Sequence, residues 1–194
     1  SVRENRPVDK MTRELLTSHG DLFKSGPVSY FFIDAKPEEL AETTAQVFLG
    51  VRLQCARCHH HPLEVWGQDD YYGLAAFFTR LKFKDAGKIG TRFGGPKSVR
   101  ATMTPDANRK LQRQSEPRLL GGEAITGEDI PDIRQPLAEW IVSKENPFFA
   151  RNFVNRYWAW MTGRGLVEPV DDLRATNPAS IPALLDALTE RSLI

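Results

Sequence analysis

Both cysteines of this 194-residue chain stand three apart, at Cys55 and Cys58. A pair so close cannot link distant segments, so no disulfide framework holds the fold. The chain must therefore be held by a buried apolar core. Its length allows one good-sized domain or two small ones, and 41% hydrophobic residues supply ordinary core material. The cysteines are left with a local task.

The apolar spacing is mostly helical. Pro7 suits a first helical position, and Val8, Met11, Leu15 and Leu16 follow on one face before Ser18-His19-Gly20 stops the helix. Val28 to Ile33 reads as a short extended or buried apolar run. A second helix begins at Asp34-Ala35-Lys36-Pro37, with Glu38 and Glu39 near its positive end. Leu40, Thr44, Val47, Phe48 and Val51 form its buried stripe. A third helix, capped by Asp69 or Asp70, carries Tyr71, Tyr72, Leu74, Phe77, Phe78 and Leu81. Residues 83–130 are rich in glycine and proline. They predict long irregular loops with room for one small hairpin. Helical spacing returns at Pro136–Val142, from Asn146-Pro147 to Gly163, and from Asn177-Pro178 onward. The expected fold is mainly α, a bundle-like set of helices in two parts, 1–82 and 131–194, joined by the irregular connection 83–130. Both ends read as cuts through something larger.

The net charge of +1 carries no signal for nucleic acid or a membrane surface. No apolar run approaches the roughly 20 residues of a membrane helix. No signal-peptide pattern opens the sequence, so an exported protein would have lost it or carry it outside this stretch. Charge is uneven, however. Arg80, Lys82, Lys84, Lys88, Arg92, Lys97 and Arg100 face only Asp85. The plain reading is a solvated basic loop; the sharper one is a docking surface for an anionic glycan or an acidic protein.

Residues 55–62 read Cys-Ala-Arg-Cys-His-His-His-Pro and hold three of the four histidines. The core of this stretch is C-x-x-C-H, the local pattern of covalent c-type haem attachment. Two thiols meet the two vinyl groups, and the adjoining histidine reaches the iron. Those roles fall to Cys55, Cys58 and His59. Trp66 and Tyr71 are the first candidates to wall the pocket, although an aromatic stripe is also ordinary core. His61 is too near His59 to reach the opposite iron face and suits a supporting hydrogen bond. Met103, in an expected loop before Pro105, is the best methionine for a sixth ligand. Met11 and Met161 sit on apolar helix faces and are expected in the core, and His19 suits a helix-end cap. Three alternatives stay open: a zinc site drawn from the same cysteines and histidines, which His59 crowds; a redox dithiol; and inert thiols.

The run Val47-Phe-Leu-Gly-Val-Arg-Leu-Gln-Cys-Ala-Arg-Cys-His-His-His-Pro62, then Trp66 and Asp70-Tyr-Tyr-Gly-Leu-Ala-Ala-Phe-Phe78, resembles the planctomycete cytochrome-like domain of unknown function, in its later half. Leu137-Ala-Glu-Trp140, Asn146-Pro-Phe-Phe-Ala-Arg-Asn-Phe-Val-Asn-Arg156 and Gly163-Arg-Gly-Leu-Val-Glu-Pro-Val-Asp-Asp-Leu173 resemble the start of its usual C-terminal companion, also of unknown function. The resemblance implies an exported protein, periplasmic or at the cell surface, within systems suspected of handling complex polysaccharides. It implies haem c as cofactor, single-electron transfer as role, and a redox partner that the sequence does not identify. The companion's polar residues Arg151, Asn155, Arg156, Arg164, Glu168, Asp171 and Asp172 are expected chiefly to fix its helix–loop–helix. A carbohydrate-active enzyme using Asp171/Asp172 or Asp69/Asp70 is the least favoured reading, because adjacent acids rarely address one bond together.

Overall fold

The computed structural model describes residues 2–34, 36–85, 99–103, 109–126 and 130–192. It is mainly α, with six α-helices and a small three-stranded sheet among the described residues. Helix α1 spans Val8–Thr17, α2 Pro37–Thr44, α3 Gln68–Ala76, α4 Arg134–Val142, α5 Phe149–Thr162 and α6 Pro182–Arg191. None is long and apolar enough to cross a membrane.

Helix α3 is the hub. Every residue from Tyr71 to Thr79 is buried, so this segment is apolar on all sides and must be enclosed. Side chains such as Leu74, Phe77 and Phe78, fully buried, each contribute about 1.5–3 kcal/mol relative to exposure. Around them pack Leu16 of α1, Leu40 of α2 and Leu137 and Ile141 of α4. This core does not stop at residue 130: α4 lies against α1 and shares it. Arg134 of α4 is wholly buried and donates to the carbonyls of Ser18 at 2.9 Å and Thr17 at 3.2 Å. It is neutralised by Asp132 at 2.7 Å and lies over the Phe31 ring at 4.9 Å. A second, smaller cluster joins α5 to α6 through Val154, Leu166, Val167, Ala179 and Leu185.

Three local expectations are corrected. The run from Val28 is not extended; Gly26–Phe32 is a 3₁₀ helix. Pro27 presets its first turn, and the three-residue repeat puts Val28 and Phe31 on one buried side. The last helix starts at Pro182, not at Asn177-Pro178. Asn177 donates to the carbonyls of Glu168 and Asp172, and Ser180 N–H to Leu166 O, so this stretch is tied down as a loop. Met161 is not core but 69% exposed, beside Trp160 at 81%, because the second cluster is too small to cover the outer side of α5.

The connection contains the hairpin pairing. Strands β2 (Leu81–Asp85) and β3 (Val99–Met103) run antiparallel, with Leu81 opposite Met103, and β1 (Gly20–Asp21) pairs β3 on its other edge. Met103 thus closes a strand rather than lying in a loop; its side chain lies outside the described residues. So do Lys88, Arg92 and Lys97 of the basic stretch, and the side chains of Lys84 and Arg100. Residues 109–126 strap α3. Arg118 N–H bonds Gly73 O at 3.0 Å, Arg109 N–H bonds Thr79 O at 2.9 Å, and Leu111 and Leu120 enter the core. Gly73 is required there, since a Cβ would sit 2.5 Å from Arg118 Cβ.

Candidate functional site

The cysteine motif is held where α2 ends. After Thr44 the helix loosens into a π turn, Ala45–Leu49, and Gly50 stops it in the left-handed conformation (φ 66°). Val51, Leu53 and Ala56 then sink into the core. With these anchors inward, the 3₁₀ turn Gln54–Arg57 leaves Cys55 and Cys58 exposed, both as free thiols. The N–H groups of Cys58 and His59 both approach Cys55 O at 3.4 Å. Gln68, at the start of α3, donates to the carbonyls of Arg57 and Cys58, each at 3.1 Å. The Tyr72 hydroxyl reaches Arg57 O at 3.3 Å. The turn is thereby fixed to the hub helix.

The two histidines of the C-H-x-H pattern have opposite hydrogen-bonding states. His59 is exposed, and its Nδ1 lies 2.7 Å from His60 O. A carbonyl can only accept, so Nδ1 carries the proton and Nε2 keeps its lone pair. His61 is reversed: Leu63 N–H donates to its Nδ1 at 3.2 Å, so the neutral ring carries its proton on Nε2. Its backbone N–H closes the following loop on Trp66 O at 2.9 Å. His59 therefore offers a free nitrogen to a metal, whereas His61 offers a donor. Burial, with help from Arg174, pushes the His61 pKa below its ordinary value.

Trp66 and Tyr71 do not wall an open pocket at the thiols. Trp66 is 7% exposed, edge-on to Phe148. Tyr71 is wholly buried and donates to Glu42 at 2.5 Å; burial, then Glu42, drives its phenol pKa far up. The exposed apolar surface beside the motif belongs instead to Leu63 and Val65, 47% and 81% exposed. Sequence reading missed these two. Their signal was two apolar residues in the short connection between Pro62 and Trp66.

Also missed was the way the second part grips the first. Leu173 N–H donates to Gly50 O at 2.8 Å. Asp171 accepts from Arg52 at 2.5 Å and from Gln46. Asn152 of α5 donates to Val47 O at 2.7 Å, and Arg156 to Gln46 O at 2.8 Å. Burial alone would raise the Asp171 pKa, but the bonds from Gln46 and Arg52 outweigh it and hold the carboxyl below its ordinary range. Asp172, nearly buried, and Arg174 stand beside the motif loop: burial and then the Asp172 charge raise the Glu64 pKa. Arg151, Asn155 and Glu168 bond within the companion's own fold. Asn155 is wholly buried and bridges Val167 and Val170 through three hydrogen bonds.

The donor set fits a covalently held haem: two exposed thiols on one turn, and beside them an imidazole with Nε2 free. Among the described residues no group of three or more His, Cys, Asp or Glu is placed to hold a metal ion. No curated protein and no solved structure matches the chain. Residues 1–83 match the family model described as PSCyt2, protein of unknown function (DUF1549), and residues 133–192 match PSD1, protein of unknown function (DUF1553). The chain is therefore similar to this pair of families in this order, with the cysteine motif in the first and the Asp171–Arg174 segment in the second.

Proposed function

We propose that the chain is an exported c-type cytochrome-like electron carrier with one haem on Cys55 and Cys58. The observation that carries this reading is the pairing of two outward thiols with His59, whose Nδ1–H is engaged and whose Nε2 is free. A bound haem supplies a one-electron couple. The chain supplies everything else. Cys55 and Cys58 would give the thioether sulfurs, and His59 Nε2 would bind the iron. His60 O fixes the His59 tautomer and makes the imidazole a stronger donor. Leu63 and Val65 offer exposed apolar surface just after the motif in the chain. Gln68 and Tyr72 hold the carbonyls of the turn, so the sulfurs and imidazole keep their relative positions.

The role we favour is electron transfer to a partner protein, because the residues gathered at the turn are two exposed thiols and an imidazole. Thioether attachment of this kind is made outside the cytosol, which makes the reading periplasmic or cell-surface. The family resemblance adds a setting, the handling of complex polysaccharides.

The test is expression with export and a cytochrome-maturation system, followed by absorbance spectra before and after unfolding. The wild type should keep a haem band through denaturation. The double variant Cys55→Ala/Cys58→Ala should lose it, and His59→Ala should keep the pigment with an altered axial-ligand spectrum. A colourless protein carrying stoichiometric zinc, from cells that load a control cytochrome, would sink the proposal.

A further inference from the structure

A second feature lies next to the motif loop, on the side where Arg174 stands. A cavity of about 270 Å³ opens between α5 and the segment leading into α6, lined by Arg151, Leu173, Arg174, Asn177, Pro178 and Pro182 among others. Its two charged lining residues are both arginines. We propose that this cavity binds a small oxyanion group, carboxylate or sulfate, with Arg174 as its primary contact and Arg151 as its second cation.

Arg174 carries the argument. A guanidinium has five N–H donors and no acceptor, so it is satisfied only by oxygen partners or water. Here Nε is sealed from solvent with no hydrogen-bond partner, so the partly exposed amino nitrogens are the donors that an incoming anion would meet. The ion pair of Arg174 with Asp172 is loose, at 3.4 Å, with the arginine side chain 29% and the aspartate 10% exposed. A planar carboxylate or tetrahedral oxyanion takes two guanidinium N–H groups in parallel, which Asp172 does not do at that distance. Arg151 is the weaker member because Asp186 already pairs with it. That pair is partly solvated, 33% and 55% exposed, and solvated pairs exchange partners at little cost.

The rest of the wall suits a captured ion. Val167, Leu173, Pro178 and Ala179 give it apolar walls, which strengthen a charge contact by lowering the local dielectric. Asn177 holds the loop in shape by donating to the carbonyls of Glu168 and Asp172 at 3.0 and 2.9 Å. The volume is at the small end for ligand sites. It suits an acid with the bulk of one sugar ring or one amino acid, not a polymer segment. This inference does not depend on haem.

The test is a titration of the whole chain with sodium sulfate and, separately, sodium acetate, at ionic strength held constant with sodium chloride. Amide and arginine side-chain NMR shifts report binding. We expect saturable shifts with at least one of the two anions, centred on residues 173–182 and on the Arg174 Nε–H. The anion that saturates first identifies the ligand class. Arg174→Lys keeps the charge but loses the fork, and should weaken binding about tenfold, or about 1.4 kcal/mol. Arg151→Gln should weaken it less. Linear, non-saturating shifts with both anions in the wild type would overturn the proposal. So would a saturating site that Arg174→Lys and Arg151→Gln leave unchanged. The wild-type titration and Arg151→Gln remain decisive if Arg174→Lys fails to fold.

Discussion

Replacing Gly50 by alanine separates two effects at the point where both parts of the chain meet. The first is backbone strain. Gly50 has φ 66°, and a residue with a Cβ pays about 1–2 kcal/mol in that region. The second is steric. A Cβ at Gly50 would lie 2.7 Å from Asn152 Oδ1, 2.9 Å from Leu173 Cδ1 and 3.0 Å from Leu173 Cγ. Those atoms belong to α5 and to the Asp171–Arg174 segment, so something in the second part must move. Overpacking of this kind costs about 1–3 kcal/mol. Gly50→Ala should thus lose about 2–5 kcal/mol in total. Gly163→Ala is the control: Gly163 has φ 81° but nothing within 4 Å of the built Cβ, so only the strain remains. Urea unfolding of both variants, with unchanged m-values, gives the difference directly. Amide exchange adds a local readout, because the Leu173 N–H, bonded to Gly50 O at 2.8 Å, should exchange faster in Gly50→Ala. If the two variants lose the same stability within about 0.5 kcal/mol, and Leu173 keeps its protection, the segment does not pack on Gly50 as described.

Arg134→Met should cost about 3–5 kcal/mol in the same unfolding assay, because it strips the donors from Thr17 O and Ser18 O and leaves Asp132 without its partner. A loss below about 1 kcal/mol would mean that the buried guanidinium does not join α1 to α4. The depressed pKa of Asp171 gives a signed pH effect. Its carboxylate contributes stability above the unfolded value of about 3.9, and that contribution is lost as pH falls through the lower folded value. Stability measured from pH 6 downward should therefore fall less steeply in Asp171→Asn than in the wild type below about pH 4. Identical acid limbs would contradict the bonds from Arg52 and Gln46.

Periodicity made the helices legible. Val8, Met11, Leu15 and Leu16 mark α1, and the unbroken apolar character of residues 71–78 marks α3. The same feature misdirected the pocket assignment. A helix apolar on all sides is enclosed, so Tyr71 went to the core and not to a pocket wall. The 3₁₀ helix at Gly26–Phe32 was not legible because a short apolar run fits a strand or a helix equally. The cysteine turn was legible as a unit, since its residues are contiguous. Its supports were not. Arg52 and Asp171 are 119 residues apart, and Gly50 and Leu173 meet through backbone atoms that leave no mark in residue type. The cavity at Arg151 and Arg174 was hidden for the same reason, being assembled from α5 and the loop before α6.

Haem attachment at residues 55–59 is covalent, so it is read most directly from the mass of the peptide that contains them. Protein exported alongside a maturation system would be unfolded, treated with an alkylating reagent and digested. The expected peptide is heavier by one haem, with neither Cys55 nor Cys58 alkylated. A peptide with both thiols alkylated and no haem mass, from cells in which a control cytochrome is fully loaded, would contradict it.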